Sequence, residues 1–176
     1  TREEAMKEIV KAHPDAAILF CNGFNARAAQ ACVDREGNFY NVGYMGGSLA
    51  LGWGMAKSNP DMNFVVIDGD QNAMMGKMHE ILAQDYPDNL QWIIVDNRHG
   101  TSVGTAKSPM LPNWYHDLAW VVNTIPEEPG TFPYPRVGSR GSYFDDDMAY
   151  MESKLGPLEW HAERFKNWVL QKTREK

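Results

Sequence analysis

The apolar positions of the chain recur with two different spacings, and each spacing predicts a different kind of element. Four segments have apolar residues at helical spacing, over 1–12, 26–33, 48–58 and 74–86. Between them lie four short strand-like runs, over 16–21, 39–47, 63–69 and 90–97. Continuous apolar runs of this length are typical of strands buried on both faces of a parallel sheet. The alternation predicts an α/β fold, a parallel sheet with helices on both faces.

This pattern weakens after about residue 106. Segment 107–145 is rich in Pro, Gly and aromatic residues, which predicts an irregular but ordered region. Helical spacing returns near the end, so C-terminal helices are expected over 145–174, with Pro157 near the first turn of the last one. The chain has neither an internal repeat nor a low-complexity tract, and we expect residues 1–176 to form a single domain.

Small and oxygen-bearing residues follow each predicted strand. They are Asn22 and Gly23 after the first, Gly43, Gly46 and Gly47 after the second, Asp68, Gly69 and Asp70 after the third, and Asn97, Gly100 and Gly104 after the fourth. Open parallel sheets bind ligands beyond the carboxyl ends of their strands. We therefore expect the ligand site at this edge of the sheet.

Asp70 and Asn97 predict the chemistry of that site. A carboxylate and an amide carbonyl are hard oxygen ligands, and with a backbone carbonyl and water they make an incomplete Mg²⁺ site that a phosphate group can close. Glycines nearby let the backbone approach a phosphate closely. The alternative is that Asp68 and Asp70 cap the following helix. On the first interpretation, Asp68 is the structural acid that hydrogen-bonds the turn.

Composition narrows the classes of partner. The net charge of −6 over 176 residues disfavours nucleic acid, because phosphate-binding surfaces carry a basic excess. No apolar run is long enough to span a bilayer, and the charged start is unlike a signal peptide. The cysteines, Cys21 and Cys32, have no metal-ligand spacing and suggest no disulfide framework. We expect a cytoplasmic protein with neither a nucleic-acid nor a membrane partner.

The residues also carry a family resemblance. Gly69-Asp70 followed by Asn97 resembles the thiamine diphosphate signature, which reads Gly-Asp-Gly and then Asn. Through the glycine turn, the acids and the Ser-Val-Gly that follows Asn97, residues 1–106 are similar to the diphosphate-binding half of phosphonopyruvate and sulfopyruvate decarboxylases. The resemblance implies the thiamine diphosphate-binding fold, with the chain as one diphosphate-binding domain, and the cofactors thiamine diphosphate and Mg²⁺.

The same resemblance implies roles for individual residues. Asp70 and Asn97 would bind Mg²⁺ through their side chains, and His99 through its backbone carbonyl. Met45 would lie under the cofactor and bend its rings together, or else pack in the core. The implied cofactor-binding set is Asn22, Gly23, Gly43, Met45, Gly69, Asp70, Gln71, Asn72, Asn97 and Thr101. Arg27 either lies near the diphosphate or is a solvated helix residue.

Two positions depart from the family pattern. Gln71 replaces the second glycine of the signature, so either the turn accommodates a side chain or the diphosphate is held slightly differently. Gly100 stands where relatives often carry a His, and here the His is one residue earlier, at position 99. The shifted His predicts altered substrate recognition even with an intact cofactor site, whereas Gln71 marks where the cofactor geometry could differ.

The resemblance implies decarboxylation of a small 2-oxo acid to an aldehyde and CO₂. His99, Thr101 and Ser102 are the catalytic candidates, whereas His116 and His161 are expected to be surface or packing residues. An anionic substrate such as sulfopyruvate or phosphonopyruvate would need a nearby cation, for which Arg98 and Lys107 are candidates.

In this family the cofactor bridges two domains, and the other domain supplies a Glu that activates it. One domain's length cannot hold both, and Thr1 begins a capped helix. The sequence therefore predicts a separate pyrimidine-binding (alpha) subunit and a hetero-oligomer. Two alternatives remain open. They are the beta subunit of a 2-oxoacid:acceptor oxidoreductase, disfavoured because the chain lacks an iron–sulfur cysteine set, and a degenerate non-catalytic partner subunit, disfavoured by the intact Asp70 and Asn97.

Overall fold

The computed structural model describes residues 1–103, 106–126 and 158–175. Its strands are β1 (Ala17–Phe20), β2 (Asn38–Tyr40), β3 (Phe64–Gly69), β4 (Leu90–Asp96) and β5 (Trp120–Asn123). Its helices are α1 (Arg2–Ala12), α2 (Phe24–Val33), α3 (Ser48–Ser58), α4 (Asp70–Met75), α5 (His79–Leu82), α6 (Tyr115–Leu118) and α7 (Leu158–Arg174), with a 3₁₀ turn at Thr101–Val103.

All of the described strands pair in parallel in one sheet, with the order β2-β1-β3-β4-β5. The strand order reverses at β1, since β2 lies on one side of it and β3 on the other. Such a reversal opens a crevice at the carboxyl ends of the two diverging strands, here β1 and β3. The predicted α/β fold is confirmed.

Alternate residues along each central strand enter two separate cores. On one face, Ile18, Val65 and Ile93 pack with α1 and α2. On the other, Val66 and Ile94 pack with α3 and with Phe165 of α7. Both faces are therefore covered by helices, and this explains why β1, β3 and β4 are apolar along nearly their whole length.

The first helix begins where its capping residues predict. The Thr1 hydroxyl accepts a hydrogen bond from the Glu4 backbone N–H at 3.3 Å, and the Glu4 carboxylate accepts one from the Thr1 backbone nitrogen at 2.7 Å. Met6 and Ile9 are buried on its inner face. This reciprocal cap holds the start of α1 at the carboxyl edge of the sheet.

One predicted helix is broken. The pattern over 74–86 predicts a continuous helix, but α4 ends at Met75 and α5 begins only at His79. A Cβ on Gly76 would lie 2.7 Å from the Gly46 carbonyl oxygen, so the two backbones are in direct contact. Gly76 is extended, and this contact with the turn after β2 takes the place of another helical turn.

Segment 107–145, predicted to be irregular, contains α6 and the fifth strand in its described part. The strand escaped the pattern because β5 is an edge strand of four residues, with Trp120 and Asn123 exposed. The predicted helix over 145–155 lies outside the described residues, whereas the one that follows Pro157 is present as α7. Among the described residues, no helix has both the length and the hydropathy that crossing a membrane requires.

Candidate cofactor and metal site

A cleft opens at the carboxyl edge of the sheet, at the point where the strand order reverses. The loops after β1, β2, β3 and β4 and the start of α1 form its walls. Predicted site residues that line it are Asn22, Met45, Gly69, Asp70, Gln71, Asn72, Asn97, His99, Thr101 and Ser102. Gly23 adjoins it, because a Cβ there would lie 3.0 Å from the Ser102 Oγ. Gly43 is outside the lining, in the same turn as Met45.

Asp70 is the buried acid of the cleft. Its side chain belongs to a residue that is only 4% exposed, and its Oδ2 has no hydrogen-bond partner. Burial raises the pKa of this carboxyl and outweighs the Ser108 side chain and the Gln71 backbone, which lower it. A buried carboxylate oxygen without a donor is costly, so this atom suits a bound cation.

Neither acid is the N-cap residue of the following helix. The N-cap of α4 is Gly69, which has no side chain with which to cap the helix. Asp68 is the penultimate residue of β3, and its Oδ2 accepts a 2.9 Å hydrogen bond from the Trp92 indole N–H rather than bonding the turn. Burial raises the pKa of Asp68 to about 7. Asp68 is thus a core acid, and Asp70 is the one that faces the cleft.

Asn97 is held in a compact loop after β4. Its Oδ1 accepts a 3.0 Å hydrogen bond from the His99 backbone N–H, and its Nδ2 lies 3.4 Å from the Thr101 hydroxyl. Arg98, between them, has a φ of 60° and pairs with Asp96 at 2.8 Å. These contacts fix the Asn97 amide at the edge of the sheet, directly after β4, which pairs with the strand that precedes Asp70.

Antiparallel pairing extends this loop. The Gly100 N–H donates to the Ala106 carbonyl at 2.8 Å, and the Ser108 N–H donates to the Arg98 carbonyl at 2.8 Å. His99 and Lys107 form the bridge between them. His99, Thr101 and Ser102 therefore lie on a folded segment at the mouth of the cleft.

Asn72 joins the loops on the other wall. Its Nδ2 donates to the Asn22 Oδ1 at 2.6 Å, and its Oδ1 accepts from the Gly46 N–H at 2.5 Å. The loops after β1, β2 and β3 are tied together by this one side chain. Gly23 and Gly46 have φ values of 81° and 83°, a region that residues with a Cβ rarely adopt.

Gln71 and Gly100, the two departures from the family pattern, touch each other. A Cβ on Gly100 would lie 2.7 Å from both the Nε2 and the Oε1 of Gln71. The Gln71 amide thus occupies the space that a side chain at position 100 would need. Two deviations that look independent in the sequence are one local arrangement in the structure.

Residues of the cleft fit a metal and a phosphate group. The unpartnered Asp70 Oδ2, the Asn97 amide and backbone carbonyls are oxygen donors of the kind that Mg²⁺ prefers. Among the described residues, no group of three His, Cys, Asp or Glu side chains could hold a metal ion. A cation here would therefore depend on one carboxylate, amide and backbone oxygens, and oxygens of its ligand.

Sequence reasoning missed several residues of the cleft. Arg2, Cys21, Phe24 and Asn25 line it. Arg2 is only 6% exposed, and its guanidinium donates to the Asn25 Oδ1. Burial raises the pKa of Cys21 to about 12, so its thiol stays neutral. Position 2 precedes every strand end, and no local signal connects it with Asp70.

Comparison with known proteins agrees with this geometry. The family described as "Thiamine pyrophosphate enzyme, C-terminal TPP binding domain" matches residues 22–119, more than half of the chain. Thiamine pyrophosphate is another name for thiamine diphosphate. The chain belongs to the thiamine pyrophosphate enzyme family. Its matched part begins at Asn22 and includes Asp70 and Asn97.

Curated relatives of this thiamine pyrophosphate enzyme domain include decarboxylases of two kinds. The chain is 35% identical over 107 residues to a phosphonopyruvate decarboxylase of Streptomyces hygroscopicus. The matched segment covers 59% of this chain and 26% of that relative. The chain is 32% and 33% identical to the sulfopyruvate decarboxylase beta subunits of Methanothermobacter thermautotrophicus and Methanocaldococcus jannaschii, covering 59% and 61% of this chain. The matched segment spans only 56% and 57% of those subunits.

Proposed function

We propose that this chain is the diphosphate- and Mg²⁺-binding subunit of a two-subunit thiamine diphosphate-dependent decarboxylase. Its substrate would be an anionic 3-substituted pyruvate of the sulfopyruvate or phosphonopyruvate type. The observation that carries the proposal is the buried Asp70 Oδ2, which has no hydrogen-bond partner and faces a cleft shared with Asn97. Relatives named as phosphonopyruvate decarboxylase and sulfopyruvate decarboxylase subunit beta support the substrate class and the separate partner.

Each wall of the cleft has its own task in this proposal. Asp70, Asn97 and the His99 carbonyl would hold the metal, and the backbone around Gly69 and Gln71 would bind the phosphates. When bound, thiamine diphosphate supplies the electron sink that lets a 2-oxo acid lose CO₂. Met45 would contact the cofactor's rings, because it lines the cleft and its flexible side chain can adapt to them.

His99, Thr101 and Ser102 would handle the polar groups of the substrate. They lie on the folded segment at the mouth of the cleft, where a 2-oxo acid would enter. Arg98 pairs with Asp96, whereas Lys107 is exposed on the segment that bridges to His99. Lys107 is therefore the better candidate for attracting an anionic substrate.

Asp70→Ala tests the metal assignment. We expect calorimetry on the complex reconstituted with its pyrimidine-binding partner to detect no Mg²⁺-dependent thiamine diphosphate binding in this variant, because the carboxylate ligand is lost. Asp85→Asn is the matched control, since Asp85 forms an exposed ion pair with Lys57 and should leave affinity unchanged. Unchanged cofactor affinity in Asp70→Ala would refute the assignment.

An activity assay tests the reaction and the partner. We expect the chain alone to be inactive and the reconstituted pair to release an aldehyde and CO₂ from sulfopyruvate or phosphonopyruvate. The same pair should not reduce a dye or ferredoxin with a 2-oxo acid and coenzyme A. Such reduction would instead indicate a 2-oxoacid:acceptor oxidoreductase, and full activity of the chain alone would refute the two-subunit arrangement.

A further inference from the structure

Arg2 is a buried cation in the cofactor cleft. It is 6% exposed at the first turn of α1, and among the described residues that line the cleft it is the one Lys or Arg. Its guanidinium donates to the Asn25 Oδ1, and the Asn25 Nδ2 lies 3.4 Å from where a Cβ on Gly69 would be. Asn25 therefore lies between the guanidinium and the glycine that directly precedes Asp70.

With the diphosphate and Mg²⁺ bound, the cleft would carry an excess of negative charge that a buried cation would offset. A diphosphate ester carries more negative charge than one Mg²⁺ ion neutralises, and Asp70 adds a further carboxylate. Excess charge in a buried site is costly unless an opposite charge or hydrogen-bond donors meet it. The arginine fork suits phosphate oxygens better than a lysine ammonium does.

We propose that Arg2 binds an anionic oxygen of the diphosphate and so supplies the positive charge that Mg²⁺ leaves uncompensated. This proposal rests on the function proposed above. Asn25 would hold the guanidinium in position, and the cap of α1 by Thr1 and Glu4 would fix the backbone from which it extends.

Calorimetry on the full chain distinguishes this role from a structural one, because the two ligands respond with opposite signs. In Arg2→Gln, Mg²⁺ alone should bind as tightly as in the wild type or more tightly, since a positive charge near Asp70 has been removed. Mg²⁺ with inorganic pyrophosphate should bind at least about tenfold more weakly, since a charge-assisted contact is lost. Arg2→Lys should give a smaller loss, because the charge remains without the fork.

Lys57→Gln is the control, since Lys57 lies in an exposed ion pair with Asp85 and should leave both affinities unchanged. Equal pyrophosphate affinity in Arg2→Gln and the wild type would overturn the proposal, as would parallel loss of both ligands, which indicates a merely structural residue. If Arg2→Gln does not fold, undiminished pyrophosphate affinity in Arg2→Lys overturns it. A wild-type chain that binds no Mg²⁺–pyrophosphate refutes the proposed cofactor site itself, and this inference with it.

Discussion

At the scale of single residues, the cleft depends on pairs that are distant in the chain. Gln71 follows β3 and Gly100 follows β4, yet the amide of one fills the space beside the other. The contact is with the far end of a flexible side chain, so it can give way without unfolding the protein. The pair therefore controls the shape of the cleft more than the stability of the fold.

A substitution at position 100 should act through Gln71. We expect Gly100→Ala to displace the Gln71 amide, to lower the affinity for Mg²⁺–thiamine diphosphate severalfold, and to change the free energy of unfolding by less than about 1 kcal/mol. In a Gln71→Ala background the same substitution should have little effect on affinity, because the space is already open. Calorimetry on the four proteins of this double-mutant cycle measures the coupling. Independent, additive effects would contradict the contact as the cause.

At the scale of elements, α3 lies unusually close to the sheet. A Cβ on Gly52 would lie 2.1 Å from the Val66 Cγ2 of β3. Gly54, on the same helix, has no neighbouring atom within 4 Å of its Cβ position. Both glycines lie within the same helix, where glycine is less favourable than alanine, but only Gly52 is in close contact with a neighbour. They therefore form a matched pair for substitution.

Alanine at these two glycines should have opposite effects on stability. Gly52→Ala should lower the free energy of unfolding by about 1–3 kcal/mol, because the methyl group overpacks the interface with β3. Gly54→Ala should raise it by up to about 1 kcal/mol, because alanine restricts the unfolded chain and has the higher helix propensity. Urea denaturation of both variants provides the measurement. A stable Gly52→Ala variant would mean that α3 moves away from the sheet at little cost.

At the scale of the whole molecule, hydrogen bonds join the last helix, α7, to α2 and the residue that follows it, which are distant in the sequence. Arg164 of α7 donates to both carboxylate oxygens of Asp34, at 2.8 and 2.6 Å, and Asp34 also accepts from the Tyr40 hydroxyl at 2.7 Å. His161 adds a 2.7 Å contact with Gln30 of α2. His161 is thus the packing residue that the sequence predicts, whereas His116 is exposed.

The contribution of the Arg164–Asp34 contact to stability should depend on pH. Burial alone would raise the pKa of Asp34, but the hydrogen bonds from Arg164 and Tyr40 outweigh it and lower that pKa below its ordinary value. A carboxyl whose pKa is lowered in the folded state stabilises the fold at pH values above its pKa in the unfolded chain, about 3.9. This stabilisation is lost as the pH falls through the pKa of the folded state.

Arg164→Met should therefore destabilise the protein most at neutral pH. We expect a loss of about 1.5–3 kcal/mol at pH 7, the range for hydrogen bonds to a charged group, and a smaller loss at pH 3. Lys172→Gln removes an exposed pair with Glu175 and should change stability by less than about 0.5 kcal/mol. Denaturant unfolding at both pH values supplies the comparison. An equal loss at the two pH values would show that Asp34 is not the group responsible.

Much of the fold could be predicted because its signals are local. A buried parallel strand must be apolar along its length, so β1, β3 and β4 are visible as runs, and Thr1 marks the start of α1. The break at Gly76 and the short edge strand β5 were missed, because a backbone contact with Gly46 and pairing with β4 determine them.

The sequence by itself determined the ends of β1, β3 and β4, the acids and amides that follow them, and so the chemistry expected of the site; the roles of these residues as ligands stay predictions. The sequence already favoured Asp70 over Asp68 as the ligand; the tertiary structure shows that Asp70 lines the cleft, whereas Asp68 accepts a hydrogen bond from Trp92 in the core. Only the tertiary structure brought Arg2 to the cleft and Gln71 against Gly100. The physical reason is that a parallel sheet gathers strand ends from distant parts of the chain at one edge, and local sequence carries no record of which side chains meet there.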